Sequence, residues 1–258
     1  MKRVNMNIDS YEIYPYVRVY ANLIEDYHNF YDTLQDLIIN SDKNISFVKS
    51  DWSNPTQKFG DYLFANEGLT FYEPFVIDSF IQNFIARNNI QEHIKEFQLF
   101  KKVQQIKKFT IEDYIKIYNV NLPEKTNFSY GVNIAKYDPD FIINEPKMSI
   151  ETKQIYSMNK WNYSMLFHTD YTGSHDNKRK EQFLITSNTY FNDDYEGGSI
   201  IFYVEGDKFS YKPKAGETLV FPSGSPLFSP EGKKYLHSVE TNYFKEKFLS
   251  RNYLMYTV

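Results

Sequence analysis

Glu196-Gly197-Gly198-Ser199-Ile200-Ile201-Phe202-Tyr203 reads as a turn running straight into a buried strand. Two adjacent glycines permit positive φ or a close backbone approach, and the run behind them is short and rich in β-branched and aromatic residues. The same pattern recurs on both sides. Phe183-Leu184-Ile185-Thr186, Thr218-Leu219-Val220-Phe221 and the stretch from Phe248 to Val258 are further runs of this kind. They are punctuated by Asn192-Asp193-Asp194, Pro213-Lys214-Ala215-Gly216 and Pro222-Ser223-Gly224. Short strands spaced by turns and continuing to the C-terminus predict an antiparallel sandwich or jelly roll.

Upstream of these runs the period changes. Leu23, Tyr27, Phe30, Leu34, Leu37 and Ile38 recur at three- and four-residue steps, which predicts an amphipathic helix from Leu23 to Ile39. Phe75, Ile77, Phe80, Ile81, Phe84 and Ile85 predict a second helix after Pro74, and a third covers Ile90 to Val103. Thr110, standing before Ile111-Glu112-Asp113, reads as the N-cap of a short fourth helix. Ser50 to Gly68 reads as a loop carrying one strand. The expected class is α+β: a β-core over residues 126–258, with supporting helices mostly from residues 1–125 packed on its outer face. No Pro/Gly/Ser-rich linker divides the chain, so residues 1–258 are expected to form one domain.

Composition narrows the chemistry. With 258 residues, 41% of them hydrophobic, the chain can bury a substantial core. A formal charge of -4 gives no overall basic footprint, so nothing global points to nucleic acid. There are 0 cysteines, which rules out disulfides and thiolate-bound metals and leaves His, Asp and Glu to hold any ion. The opening Met1-Lys2-Arg3-Val4-Asn5-Met6 lacks the apolar centre of a signal peptide, and no run approaches the roughly 18 apolar residues of a spanning helix. A soluble cytoplasmic protein, without a membrane partner, is the expectation.

Against that background one constellation stands out. Phe167-His168-Thr169-Asp170 supplies an imidazole and a carboxylate two positions apart, and Tyr235-Leu236-His237-Ser238-Val239 supplies a second imidazole. Two imidazoles and one carboxylate on one side of a metal leave open positions, the arrangement suited to non-haem Fe(II) chemistry with O2. A His-x-Asp triplet alone has little weight, since such triplets are common by chance. The other histidines, His28, His93 and His175, read as surface or satisfied core residues. Lys178-Arg179-Lys180 reads as a solvated charge run.

The order of landmarks gives the triplet its weight. Tyr156, His168-Thr169-Asp170, Thr189-Tyr190-Phe191-Asn192, the glycine turn at 196–202, Pro213 to Pro222, His237-Ser238-Val239, Lys247 and Arg251 follow one another in a sequence. That sequence resembles the prolyl 4-hydroxylase-like family of 2-oxoglutarate- and Fe(II)-dependent dioxygenases. The resemblance spans Tyr156 to Tyr256.

It implies a double-stranded β-helix (a cupin-like jelly roll) with a metal at one mouth. It implies His168, Asp170 and His237 as the metal ligands and catalytic set. Lys247, about ten residues beyond His237, is the implied partner of the distal 2-oxoglutarate carboxylate. Arg251, four residues on and so facing the same way on a strand, is the second candidate. Tyr190 and Tyr156 are the implied polar contacts to the co-substrate. The interval from Tyr156 to His168 is longer than the family's usual one.

The implied cofactors are Fe(II), 2-oxoglutarate and O2, with ascorbate as an optional reductant. The implied reaction hydroxylates an unactivated C–H bond and releases succinate and CO2. Peptidyl proline is the first substrate class, with a protein or peptide as partner. The same chemistry on a free amino acid, another protein side chain or a nucleic acid stays open. So does a non-catalytic β-sandwich that only binds. The nucleic-acid demethylases of the superfamily carry a paired-arginine motif that Arg251-Asn252-Tyr253 does not reproduce.

Overall fold

A computed structural model of the chain describes residues 9–24, 32, 45–51, 58–65, 94–128, 133–137, 139, 164, 167–170, 181–224 and 233–257. Their dominant feature is a nine-stranded antiparallel sheet. Its strands are β1 (Asp9–Tyr14), β2 (Val17–Ala21), β3 (Ile45–Asp51), β4 (Lys58–Ala65), β5 (Thr126–Phe128), β6 (Asn133–Tyr137), β7 (Glu181–Tyr190), β11 (Thr218–Pro222) and β14 (Lys247–Thr257). They run in the order β1-β2-β11-β7-β14-β6-β4-β3, and β5 also pairs with β14. A smaller sheet has the order β10-β9-β12, with β9 at Ile200–Val204, β10 at Asp207–Tyr211 and β12 at Leu236–Val239. Two short strands, β8 (Glu196–Gly197) and β13 (Asn242–Tyr243), pair with each other.

Period-two alternation sorts the large sheet into two faces. Val17 and Val19 on β2, Leu219 and Phe221 on β11, and Leu249 on β14 point inward, where they meet Ile200, Phe202 and Val239 of the small sheet. Tyr20, Val220 and Leu254 point outward and pack against Ile106, Ile111 and Tyr114 of a single helix, α1 (Ile94–Tyr118). The strands expected in the second half are therefore present, and the two sheets enclose one core.

The first half differs from expectation. Instead of a mainly helical support, its described residues hold β1 to β4, all built into the large sheet, and one helix. The helices expected over 23–39 and after Pro74 lie outside the described residues, save Leu23, Ile24 and Asp32. The one strand expected within Ser50 to Gly68 is present as β4.

Thr110 is not an N-cap. It sits inside α1, where its hydroxyl donates to the carbonyl of Ile106 at 2.9 Å and stands 3.2 Å from the Ser187 hydroxyl. Back-bonding to the i−4 carbonyl satisfies the side chain within the helix. The apolar stripe of Val103, Ile106, Ile111 and Tyr114 then carries the helix through, so the third and fourth expected helices are one. α1 stops where Asn119 takes φ 48 and the Val120 amide donates to the Ile115 carbonyl at 3.0 Å, a left-handed C-terminal cap. No helix of the described residues is long and apolar enough to cross a membrane.

The glycine turn does need its glycines. Gly197 and Gly198 have φ of 62° and 71°. A Cβ at Gly197 would lie 2.3 Å from the Thr241 carbonyl oxygen, and one at Gly198 would lie 2.5 Å from the Tyr195 ring. Only hydrogen fits at either place.

Candidate metal centre and the cavity behind it

The small sheet continues past β12 onto the segment that carries the His-x-Asp triplet. The His168 amide donates to the His237 carbonyl at 3.0 Å, and the His237 amide donates back to the His168 carbonyl at 2.9 Å. Farther along, the Ser164 amide donates to the Val239 carbonyl at 2.9 Å. Backbone pairing alone thus sets the two histidines side by side, with ring centroids 4.4 Å apart. Asp170, two residues on, brings its carboxylate to both: Oδ1 lies 3.4 Å from Nε2 of His168, and Oδ2 lies 3.4 Å from Nε2 of His237. Ligand atoms of the three residues all fall within 4.8 Å of one another.

These residues fit a metal on several grounds. Ligand atoms about 2.1 Å from one ion and at right angles stand about 3 Å apart, close to the spacing seen. Nδ1 of His237 lies 3.2 Å from the Tyr235 carbonyl, a contact satisfied only when Nδ1 carries the proton. With Nδ1 so occupied, Nε2, the nitrogen that faces Asp170, is the one that would give up its proton to a metal. The edge of the His237 ring is held by Phe221, T-shaped at a centroid distance of 4.9 Å. Burial pushes the Asp170 carboxyl up, but His237 and His168 more than offset this and hold it well below the usual carboxylate range. Asp170 and His237 are buried, whereas the His168 side chain is 26% exposed, so the cluster opens to solvent on the His168 side.

Behind the cluster a cavity runs between the two sheets. Asp170 and His237 close one end, and Tyr137, Asn188, Tyr190, Lys247 and Arg251 supply its other polar groups. Ile200, Val239 and Leu249 give it apolar walls. Lys247, Leu249 and Arg251 alternate along β14, so both cations face inward as the spacing predicts. Arg251 pairs with Asn188 on β7, two residue pairs from Tyr253–Thr186, while Lys247 lies four residues farther along β14 from the metal end.

Lys247 is wholly buried. Its ammonium donates to the carbonyl of Gly198 and sits 5.2 Å from the Tyr190 ring centroid and 5.7 Å from those of Tyr137 and Tyr195. Ring faces and a carbonyl partly replace lost hydration. Burial nonetheless lowers its pKa to about 7, with Glu240 raising and Lys212 lowering it further. Burial also pushes the Tyr190 hydroxyl well above its ordinary range, so it stays protonated. The glycine turn also supplies the carbonyl that Lys247 bonds.

Six of the seven site residues read from the sequence are therefore brought to one region: His168, Asp170 and His237 at the mouth, with Lys247, Arg251 and Tyr190 behind. Tyr156 lies outside the described residues, as do His28, His93, His175 and the segment 171–180. Residues that the sequence reading passed over are Thr186, Asn188, Tyr137 and Ser223. The signal for two of them is the run Thr186-Ser187-Asn188-Thr189, four consecutive polar residues, all buried, directly after the apolar Phe183-Leu184-Ile185. Buried polar side chains have partners or tasks.

No protein-family model and no curated protein sequence matches the chain. In three dimensions it shares its fold with the prolyl hydroxylases. The viral collagen prolyl hydroxylase of Paramecium bursaria Chlorella virus 1, solved as its 2-oxoglutarate complex, superposes with a TM-score of 0.50 at 17% identity. That likeness covers 94% of this chain and 96% of the viral one. A prolyl hydroxylase from Trichoplax adhaerens, solved with a peptide fragment of the hypoxia inducible factor oxygen degradation domain, gives 0.51 at 11% identity. Here 93% of this chain and 83% of that one are covered. Both alignments reach beyond the Tyr156 to Tyr256 region that carries the sequence resemblance.

Proposed function

We propose that this protein is a 2-oxoglutarate- and Fe(II)-dependent dioxygenase that hydroxylates an unactivated C–H bond, with peptidyl proline as its substrate class. The observation that carries the reading is the pairing of a two-histidine, one-carboxylate cluster with a wholly buried lysine at the other end of one cavity. The two sheets form the double-stranded β-helix, and residues 1–258 act as one domain whose site is built from residues 126–258.

His168, Asp170 and His237 would hold Fe(II) from one side and leave the opposite positions for co-substrate and O2. Fe(II), when bound, supplies the O2 activation that couples loss of CO2 from 2-oxoglutarate, leaving succinate, to hydroxylation of the substrate. The protein's part is orientation and exclusion of water. Lys247 and the Tyr190 hydroxyl receive the distal carboxylate, where a buried ammonium gives a charge-assisted contact. Arg251, nearer the metal end, takes the second contact to the co-substrate. Ile200, Val239 and Leu249 would line its methylenes. The exposed side of His168 marks where substrate enters.

Peptidyl proline is favoured because the two solved structures described above are prolyl hydroxylases, one of them in complex with a peptide fragment. The test is mass spectrometry of proline-containing peptides after incubation with the protein, Fe(II), ascorbate and 2-oxoglutarate. A +16 Da product on proline is expected. Turnover of 2-oxoglutarate with free amino acids, and none with peptides, would overturn the substrate class while leaving the reaction class standing.

A further inference from the structure

Asp170 is held by more than its neighbouring histidines. The Thr186 hydroxyl donates to its Oδ2 at 2.7 Å, and the same hydroxyl oxygen lies 2.7 Å from the Ser223 hydroxyl. The direction of both bonds is fixed by chemistry. An ionised carboxylate only accepts, so Thr186 must spend its one proton on Asp170 and must accept from Ser223. Both hydroxyl residues are at 0% exposure, so no water competes.

The backbone fixes the geometry independently. Thr186 sits opposite Phe221 in the β7–β11 register, and the Ser223 amide donates to the Leu184 carbonyl at 3.0 Å. Next to Ser223, Gly224 takes φ +90, and a Cβ there would lie 2.6 Å from Thr169 Cγ2, so this segment also presses on the residue between the two ligands.

Resting on the metal-site reading above, the geometry points to Ser223 and Thr186 as positioning residues that hold Oδ2 of Asp170 and leave Oδ1 as the single carboxylate oxygen for the ion. A carboxylate free to rotate could bind through both oxygens and fill a position that the co-substrate needs. The chain Ser223–Thr186–Asp170 prevents this by occupying one oxygen with a donor that cannot swing away. Outer hydrogen-bond partners of metal ligands are worth about 10- to 100-fold in metal affinity when removed.

The test is Co(II) titration of the full-length apo-protein, followed by visible absorption, for wild type, Thr186→Val, Thr186→Ser and Ser223→Ala, with thermal melts of each. Thr186→Val keeps the shape and deletes the donor. It is expected to weaken Co(II) binding by about tenfold or more and to change the band intensities as the carboxylate becomes bidentate. Thr186→Ser restores the donor and is expected to restore both affinity and spectrum. Ser223→Ala is expected to fall between them. Wild-type affinity and spectrum in Thr186→Val would overturn the assignment. Should Thr186→Val not fold, the comparison of Ser223→Ala with Thr186→Ser decides, and equal affinities overturn it. If the wild type itself binds no Co(II), the metal site fails along with its positioning residues. If the Co(II) results are as expected and no 2-oxoglutarate is turned over, only the oxygenase reading fails.

Discussion

His168 and His237 exchange backbone hydrogen bonds of 3.0 and 2.9 Å across the edge of the small sheet, although they lie far apart in the chain. Their positions therefore depend on main-chain pairing and not on their own side chains. His168→Ala is expected to keep the fold, since the backbone pair survives and the lost ring is partly exposed. It is expected to lose Fe(II) or Co(II) binding by well over about a hundredfold, because two ligands no longer close one face. A melt within a few degrees of wild type, together with a flat metal titration, is the expected pair of results.

Lys247→Ala should reduce 2-oxoglutarate affinity by at least about thirtyfold, since it leaves the ligand's distal carboxylate buried without its cation. Arg251→Ala should cost less, because Arg251 lies on the rung nearer the metal, where other contacts hold the co-substrate. Direct binding of 2-oxoglutarate to the Co(II) form measures both, and a larger loss in Arg251→Ala would reverse the assignment of the two cations.

Affinity for 2-oxoglutarate should also depend on pH with a definite sign. In the free protein burial lowers the Lys247 pKa from 10.5 to about 7. A bound dicarboxylate favours the charged ammonium, so binding above this pKa must take up a proton. The dissociation constant should therefore be flat below pH 7 and rise toward a limit of about tenfold per pH unit above it. The same depressed pKa means that the unfolded chain holds the proton more tightly, so the ligand-free fold should gain stability as pH rises from about 7. Lys247→Met should remove the binding dependence, as seen by calorimetry, and only its own share of the stability dependence in melts, because burial also lowers the Lys107 pKa to about 7.

Gly198→Ala should couple fold and site. The new methyl would fall 2.5 Å from the Tyr195 ring at φ +71, and the displaced turn carries the carbonyl that Lys247 bonds. A loss of about 1–3 kcal/mol in stability is expected, with weaker 2-oxoglutarate binding. Gly206→Ala makes the control, because a Cβ there meets nothing within 4 Å while its φ is also positive.

How much of this was legible in the sequence depends on what each residue's chemistry announces. His168, Asp170 and His237 are legible because of the ordered landmarks around them, from Tyr156 to Arg251, which carry the family resemblance. Lys247 was legible only through the family resemblance, and Arg251 through its spacing from Lys247 on one strand, a spacing the structure keeps. Ser223 and Thr186 were not legible as a pair, because only the β7–β11 register brings them together. β1 and β2 escaped notice because Pro15 splits a short alternation into two pieces, with Tyr16 at φ 63 making the turn. Thr110 misled because a threonine before an acidic pair suits a helix start, and only packing on the sheet shows that the helix runs through it.

The most direct measurement is succinate formation from 2-oxoglutarate by the purified protein in air, with and without Fe(II), for wild type and His168→Ala. Iron-dependent succinate in wild type, abolished in His168→Ala and by a chelator, is the predicted result. Succinate formation that neither iron nor His168 affects, or its absence from iron-loaded wild type that also fails to bind 2-oxoglutarate, would contradict the assignment of this cavity as an oxygenase site.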